Sequence, residues 1–156
     1  MKEAVEKEVS HTLTLEVIEC SHSPYNSPLV LVKKPYGTYC TCIDFRRINS
    51  VLVVDAEPIP RKDGMFAEVG TKSYLSKLDL TKDYWQVPLD ETLRLITAFS
   101  TQSGHYQFLY MPFGIKTASA IFTRLMRTLL ASLPNVVHYT MTSWLRPRHG
   151  SNTCSP

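Results

Sequence analysis

The chain has 156 residues, a mass of 17.8 kDa, and 44% hydrophobic and 20% charged residues, which gives room for one ordinary globular domain. No apolar run approaches the roughly 18 residues of a bilayer span, and the opening MKEAVEKEVSHTL is too acidic and polar for a signal peptide, so a soluble chain, intracellular by default and with no membrane partner, is expected. The net charge of +3 hides an asymmetry: residues 1–19 carry five Glu against two Lys, residues 20–91 balance nine basic against nine acidic groups, and residues 92–156 carry six Arg or Lys and no Asp or Glu.

Chemistry that needs a carboxylate must therefore draw it from the first 91 residues. The four cysteines, Cys20, Cys40, Cys42 and Cys154, fit no CxxC spacing and are expected to be reduced thiols rather than a disulfide frame or a zinc cage.

Along the chain, residues 2–17 are expected to form a helix with an incomplete stripe of Ala4, Val5, Val9 and Leu13. The run Ser21-His22-Ser23-Pro24-Tyr25-Asn26-Ser27-Pro28 forces an extended loop, because proline fixes its own φ and biases the preceding residue away from helix. Leu29–Lys33 reads as a strand, Pro35–Thr38 as a turn and Tyr39–Phe45 as the hairpin partner, with Lys33 and Lys34 at the tip. Pro58 and Pro60 precede a short helix expected around Arg61–Val69. Tyr74–Leu80 reads as a half-buried strand, with Leu78 and Leu80 on one face and Leu75, Lys77 and Asp79 on the other.

A second hairpin is expected from Ile96–Ser100 and His105–Met111 across Gln102-Ser103-Gly104. The clearest helix is Ala118–Leu130, where Ala118, Ile121, Phe122, Leu125, Met126 and Leu129 make a core-facing stripe and Arg124 and Arg127 lie off it. Asn135–Tyr139 is a last short strand, and Thr140–Pro156 reads as unstructured. The order of elements implies an α+β class, an antiparallel sheet packed with helices.

Asp79 closes a strand ahead of an aromatic turn, Tyr84-Trp85. A carboxylate there suits Mg²⁺, which takes oxygen ligands, and it equally suits a simple turn cap. Lys33 and Lys34 could reach a triphosphate, and Asp44-Phe45-Arg46-Arg47 a nucleic-acid backbone, although solvated lysines on a turn explain the former as well. Met111-Pro112-Phe113-Gly114 brings backbone and an aromatic ring to one place, as any packed hydrophobic turn does. None of these motifs decides the matter singly.

Their order does. SPYNSPLVLVKK, CIDFRRIN, EPIPR, YLSKLDLTKDYWQVPL, TAFST, GHYQFLYMPFGI and ASAIFTRLM, in this succession from about Thr14 to Tyr139, resemble the reverse transcriptase domain of gypsy-type LTR retrotransposons and their retroviral cousins. The resemblance implies a partial right-hand polymerase fold, the fingers and an incomplete palm over residues 1–140, followed by a tail at 141–156. It implies RNA-directed DNA polymerase chemistry on an RNA or DNA template-primer and a deoxynucleoside triphosphate, with two Mg²⁺ ions. Such ions, roughly 3.5–4 Å apart, activate the primer 3′-hydroxyl and stabilise the leaving group.

Carried over by position, the resemblance implies that Asp79 is the first catalytic aspartate and the Leu80 backbone carbonyl a second metal contact. Tyr84 stands where the family excludes a ribose 2′-hydroxyl. Lys33 or Lys34 would grip the triphosphate, Phe113, Gly114 and Lys116 would line the nucleotide pocket, and Arg46 would meet the template. Departures are Cys40 in place of a triphosphate-binding arginine, which loses a permanent bidentate charge, Asp83 in place of a small residue, and Thr117 and Ser119 in place of Asn and Pro.

The largest departure is His138-Tyr139-Thr140-Met141-Thr142-Ser143-Trp144, where the family has a tyrosine, one variable residue and two aspartates. One G restored after the codon for Thr140 would convert the rest, in agreement with every downstream residue, to Asp-Asp-Ile-Leu-Val-Ala-Ser-Glu-Thr-Trp-Glu-Gln-His-Leu-Phe-Ser. The expectation is an out-of-frame, disordered tail and an inactive reverse transcriptase fragment. The alternatives are a non-catalytic nucleic-acid-binding remnant or a functionless product of a decayed element.

Overall fold

Helix α1 spans Lys2–Thr14, three residues short of the expected end, and its own backbone shows why. Glu16 takes a positive φ of 54°; the Val17 amide donates to the Thr12 carbonyl at 3.1 Å and the Glu16 amide to that of Leu13 at 2.9 Å. This is the left-handed terminator that satisfies the last orphan carbonyls of a helix, here without the usual glycine. Val17 and Ile18 are thereby released into the core, 5% and 3% exposed, and Ile18–Cys20 forms a strand, β1, that apolar periodicity did not disclose.

The structure, a computed structural model, describes residues 2–33, 39–53, 55, 57–58, 63–64, 76–80, 83–133, 136–139 and 142–145. They fall into two units, residues 1–54 with 82–118, and residues 55–81 with 119–156.

In the first unit, β2 (Leu29–Lys33) pairs antiparallel with β3 (Tyr39–Ile43), from Leu29 opposite Ile43 to Lys33 opposite Tyr39. The expected partner strand stops two residues early because α2 (Arg46–Val51) follows at once. Pro35–Thr38 and Lys34 lie outside the described residues. A 3-10 turn covers Asp83–Gln86, and α3 covers Glu91–Ile96, a helix not expected from the sequence pattern. Asp90 caps α3, accepting from the Thr92 amide at 3.0 Å and the Thr92 hydroxyl at 2.6 Å.

Strands β5 (Phe99–Ser100) and β6 (His105–Phe108) make the second hairpin, shorter than expected at both outer ends because α3 occupies Ile96. A Cβ on Gly104 would stand 2.9 Å from the Tyr106 hydroxyl, so a larger residue in the turn would have to displace that ring. β6 is central in a three-stranded antiparallel sheet, β1-β6-β5. Val9, Val17, Ile18, Phe45, Phe99, Tyr106 and Phe108 form the core on it. The Ser21–Pro28 loop is extended as expected and tied down by its serines: Ser21 donates to Gln107 Oε1 at 2.6 Å, and Ser23 to the Leu95 carbonyl at 2.6 Å.

In the second unit, β4 (Ser76–Asp79), β7 (Val136–Tyr139) and β8 (Thr142–Leu145) form a sheet in the order β4-β8-β7. Two expectations are corrected here. Thr142–Leu145 is the central strand of this sheet rather than disordered, because both neighbours offer it antiparallel backbone partners; residues 146–156 lie outside the described residues. β4 is exposed along its whole length rather than half-buried, with Leu78 at 55%.

Helix α4 spans Ala118–Leu130 as expected. Ala118, Ala120, Phe122 and Thr123 are buried, but Leu129, counted in the apolar stripe, is 60% exposed because it lies in the last turn. Of the helix expected around Arg61–Val69, only Asp63 and Gly64, both helical, are described.

Candidate nucleotide and nucleic-acid site

In the first unit the 3-10 turn buries Tyr84 at 8% exposure while Phe113, in the loop after β6, is 48% exposed. Their ring centroids stand 5.1 Å apart at 56°, and Phe113 also meets Trp85 at 6.3 Å. These tilted contacts suit the aromatic quadrupole and bring two of the expected pocket residues together. Beside them is a cavity of about 320 Å³ lined by Cys42, Ile43, Trp85, Pro112, Phe113 and Gly114.

The loop is shaped by Gly114 at φ 95°, a backbone state that side-chain-bearing residues rarely adopt. Asn49, on α2, donates from Nδ2 to the Gly114 carbonyl and accepts at Oδ1 from the Lys116 amide, both at 2.8 Å. Sequence reasoning did not single out Asn49; the signal was present, since it is the last residue of the CIDFRRIN block.

Arg46 opens α2 and is exposed, but it is not a free cation. Its guanidinium reaches Asp44 through Nε at 2.9 Å to each carboxylate oxygen and through Nη2 at 2.6 Å. Hydrogen bonds from the Arg46 side chain and then its backbone amide hold the Asp44 carboxyl below the ordinary range, and the same partner raises Arg46. A template phosphate would have to compete with this fork. Lys33 ends β2, with its backbone opposite Tyr39, and Cys40 is paired with Val32; Lys34 lies outside the described residues.

Asp79 and Leu80 belong to the second unit. Asp79 ends β4, exposed, with Lys77 Nζ 3.6 Å from its carboxylate; Leu80 follows directly. The register sets Asp79 opposite Thr142, and Thr142 opposite Tyr139. Two divalent ions need several carboxylate oxygens. Here the strand facing Asp79 brings a threonine, and among the described residues no three His, Cys, Asp or Glu gather in one place. The donor set does not fit a two-metal centre.

The same unit holds an acidic–basic cluster that sequence reasoning missed. Arg124 on α4 reaches both Asp55 oxygens at 2.6 and 2.7 Å and Glu57 at 3.3 Å, and Arg127 also bonds Glu57. The Glu57 hydrogen bond and the Asp55 charge raise Arg124. Asp55 and Glu57 are only 20% and 10% exposed at the side chain, so the basic face of α4 anchors its own unit.

Known proteins resemble this chain over most of its length. The family model for reverse transcriptase (RNA-dependent DNA polymerase) matches residues 32–144. The retrovirus-related Pol polyprotein from transposon 297 of Drosophila melanogaster is 41% identical over 136 residues, 84% of this chain and 13% of that protein. The one from transposon opus is 40% identical over 83% of this chain and 14% of that protein. The enzymatic polyprotein of cauliflower mosaic virus (strain Strasbourg) is 35% identical over 79% and 19%. The chain thus spans less than a fifth of the length of these curated relatives.

Among solved structures, a prototype foamy virus protease-reverse transcriptase mutant superposes with a TM-score of 0.80 at 26% identity, over 92% of this chain and 19% of that one. The foamy viral enzyme in complex with an RNA/DNA hybrid superposes at 0.84 and 22% identity, over 94% and 20%, a likeness of fold. With the aromatic loop, the fingers-like hairpin and the three-stranded sheet already in place, the match over residues 32–144 means that this chain belongs to the reverse transcriptase (RNA-dependent DNA polymerase) family.

Proposed function

We propose that the chain is a fingers and partial-palm fragment that binds an RNA or DNA template-primer and a deoxynucleoside triphosphate, and that as given it does not join nucleotides. Reverse transcriptases use divalent metal ions, and two Mg²⁺ ions are what the resemblance implies for the intact domain. The observation that carries the proposal is the β4-β8-β7 register, in which Asp79 faces Thr142 and Thr142 faces Tyr139. Positions 141 and 142 are where the family has its two aspartates, and no carboxylate follows Glu91 anywhere in the sequence.

We further infer that residues 141–156 are read out of frame. The backbone register suits a family hairpin while the side chains on it do not, and one restored base supplies both aspartates together. In the binding role, Tyr84 and Phe113 meet the sugar and base, Lys33, Lys34, Gly114 and Lys116 the nucleotide, and Arg46 the template. Foamy viral reverse transcriptase has been captured on RNA/DNA hybrid and on double-stranded DNA, and its fold is shared here.

The test is primer extension on poly(rA)·oligo(dT) with dTTP and Mg²⁺, with template-primer binding measured in parallel by anisotropy. The purified chain is expected to extend no primer and to bind weakly, in the micromolar range or above, with affinity falling between about 50 and 200 mM salt. Extension that disappears in Asp79→Ala would overturn the inactivity, and binding indifferent to salt would overturn the nucleic-acid role.

A further inference from the structure

One carboxamide governs the loop that carries Phe113. Asn49 closes both sides of Ile115 at once, holding the Gly114 carbonyl through Nδ2 and the Lys116 amide through Oδ1, at 2.8 Å each. Asn49 is itself set by α2, since its amide donates to the Phe45 carbonyl at 2.8 Å, and Phe45 is 2% exposed in the core. Phe113 directly precedes Gly114 and is half exposed, so burial does not fix its ring. What fixes it is the loop backbone behind it and the ring contacts to Tyr84 and Trp85. A chain of contacts therefore runs from Asn49 through the loop backbone to Phe113 and on to Tyr84.

We propose that Asn49 is a positioning residue for sugar selection: by pinning the Gly114–Lys116 turn it holds Phe113 against Tyr84, so that the aromatic pair discriminates a 2′-deoxyribose from a ribose. This rests on the role of Tyr84 and Phe113 in meeting the nucleotide. The side-chain chemistry is specific. A carboxamide offers a donor and an acceptor on adjacent atoms at the reach this turn needs. A carboxylate would keep only the acceptor and would turn a charged oxygen on the Gly114 carbonyl; a hydroxyl reaches one group at most; alanine reaches neither and leaves both backbone groups to water.

The experiment uses the full chain and measures displacement of a fluorescent dTTP analogue by dTTP and by 5-methyluridine triphosphate, which differ only in the 2′-hydroxyl. The parent is expected to prefer dTTP. In Asn49→Ala the ratio of the two affinities is expected to fall on the order of fivefold, the worth of about one net hydrogen bond, while thermal melting stays cooperative. Asn49→Ser, which keeps one hydroxyl, is the second variant should alanine fail to fold, and an intermediate ratio is expected from it.

A variant that loses affinity for both nucleotides equally, with the ratio unchanged, would show a merely structural role and overturn the proposal. An unchanged ratio in Asn49→Ala beside a collapsed ratio in Phe113→Ala would overturn it while leaving the nucleotide-binding role intact. Failure of the parent to bind dTTP at all would remove that role and this proposal with it.

Discussion

At the scale of a single residue, His138 links burial to the pH dependence of stability. It sits on β7 with its ring centroid 6.5 Å from that of Phe122, and neither ring nitrogen has a hydrogen-bond partner among the described residues. Desolvation by burial lowers its pKa from the ordinary 6.5, so the folded chain prefers the neutral ring. The unfolded chain takes up the proton near pH 6.5, and the folded chain only further down. Between those points the unfolded state binds more protons, so stability is full above about pH 6.5 and falls as the pH drops below it. Urea midpoints measured from pH 7.5 to 5.5 are expected to decline in the parent, and the decline is expected to be shallower in His138→Phe. Equal slopes would mean that His138 is not the group responsible.

At the scale of elements, α4 separates what apolar spacing discloses from what it does not. Its bounds follow from the i, i+3, i+4 recurrence, but recurrence cannot say which end of a stripe still has something to pack against. Phe122 is 2% exposed and Leu129 60%. Phe122→Ala is expected to cost about 3–5 kcal/mol through lost burial and the cavity left behind, whereas Leu129→Ala is expected to stay within about 0.5 kcal/mol. Comparable losses in the two variants, read from urea unfolding, would mean that the helix packs along its whole stripe.

The same limit explains the other departures. β1 is three residues of Ile18-Glu19-Cys20, too short to show a period, and it exists because Glu16 ends α1 where it does. α3 is only the six residues Glu91–Ile96, too short to establish a helical period, although Asp90 ahead of Glu91 is a readable cap. In the candidate site, the ordered motifs name Tyr84, Phe113, Gly114 and Asp79 as expectations, and the structure brings the Tyr84 and Phe113 rings into contact. The contacts of Asn49, which itself stands in an ordered motif, and the Asp55–Arg124 and Glu57–Arg127 pairs were not legible, because each joins residues more than 60 positions apart, and contact across that separation leaves no periodic trace.

For the whole molecule, the question is whether its last described strand belongs to the fold by backbone alone. β8 lies between β4 and β7, the most enclosed place in that sheet, yet it reads Thr-Ser-Trp-Leu, and Ser143 is only 7% exposed. A hydroxyl in such a place contributes no apolar burial and must find a partner. The restored frame puts Asp-Ile-Leu-Val on the same four positions, with isoleucine at 143, a β-branched residue suited to a central strand. It also returns acidic residues to a C-terminal stretch that now carries none among its last 65 positions. The proposed frame error makes a stability prediction at this strand. Replacing residues 141–156 by the restored sequence is therefore expected to raise the urea midpoint. Ser143→Ile alone is expected to supply about 1–2 kcal/mol of that gain by burying its added apolar surface. If the given tail proves as stable as the restored one, and Ser143→Ile destabilises, then the strand is fitted to its present side chains and the out-of-frame origin loses its structural support.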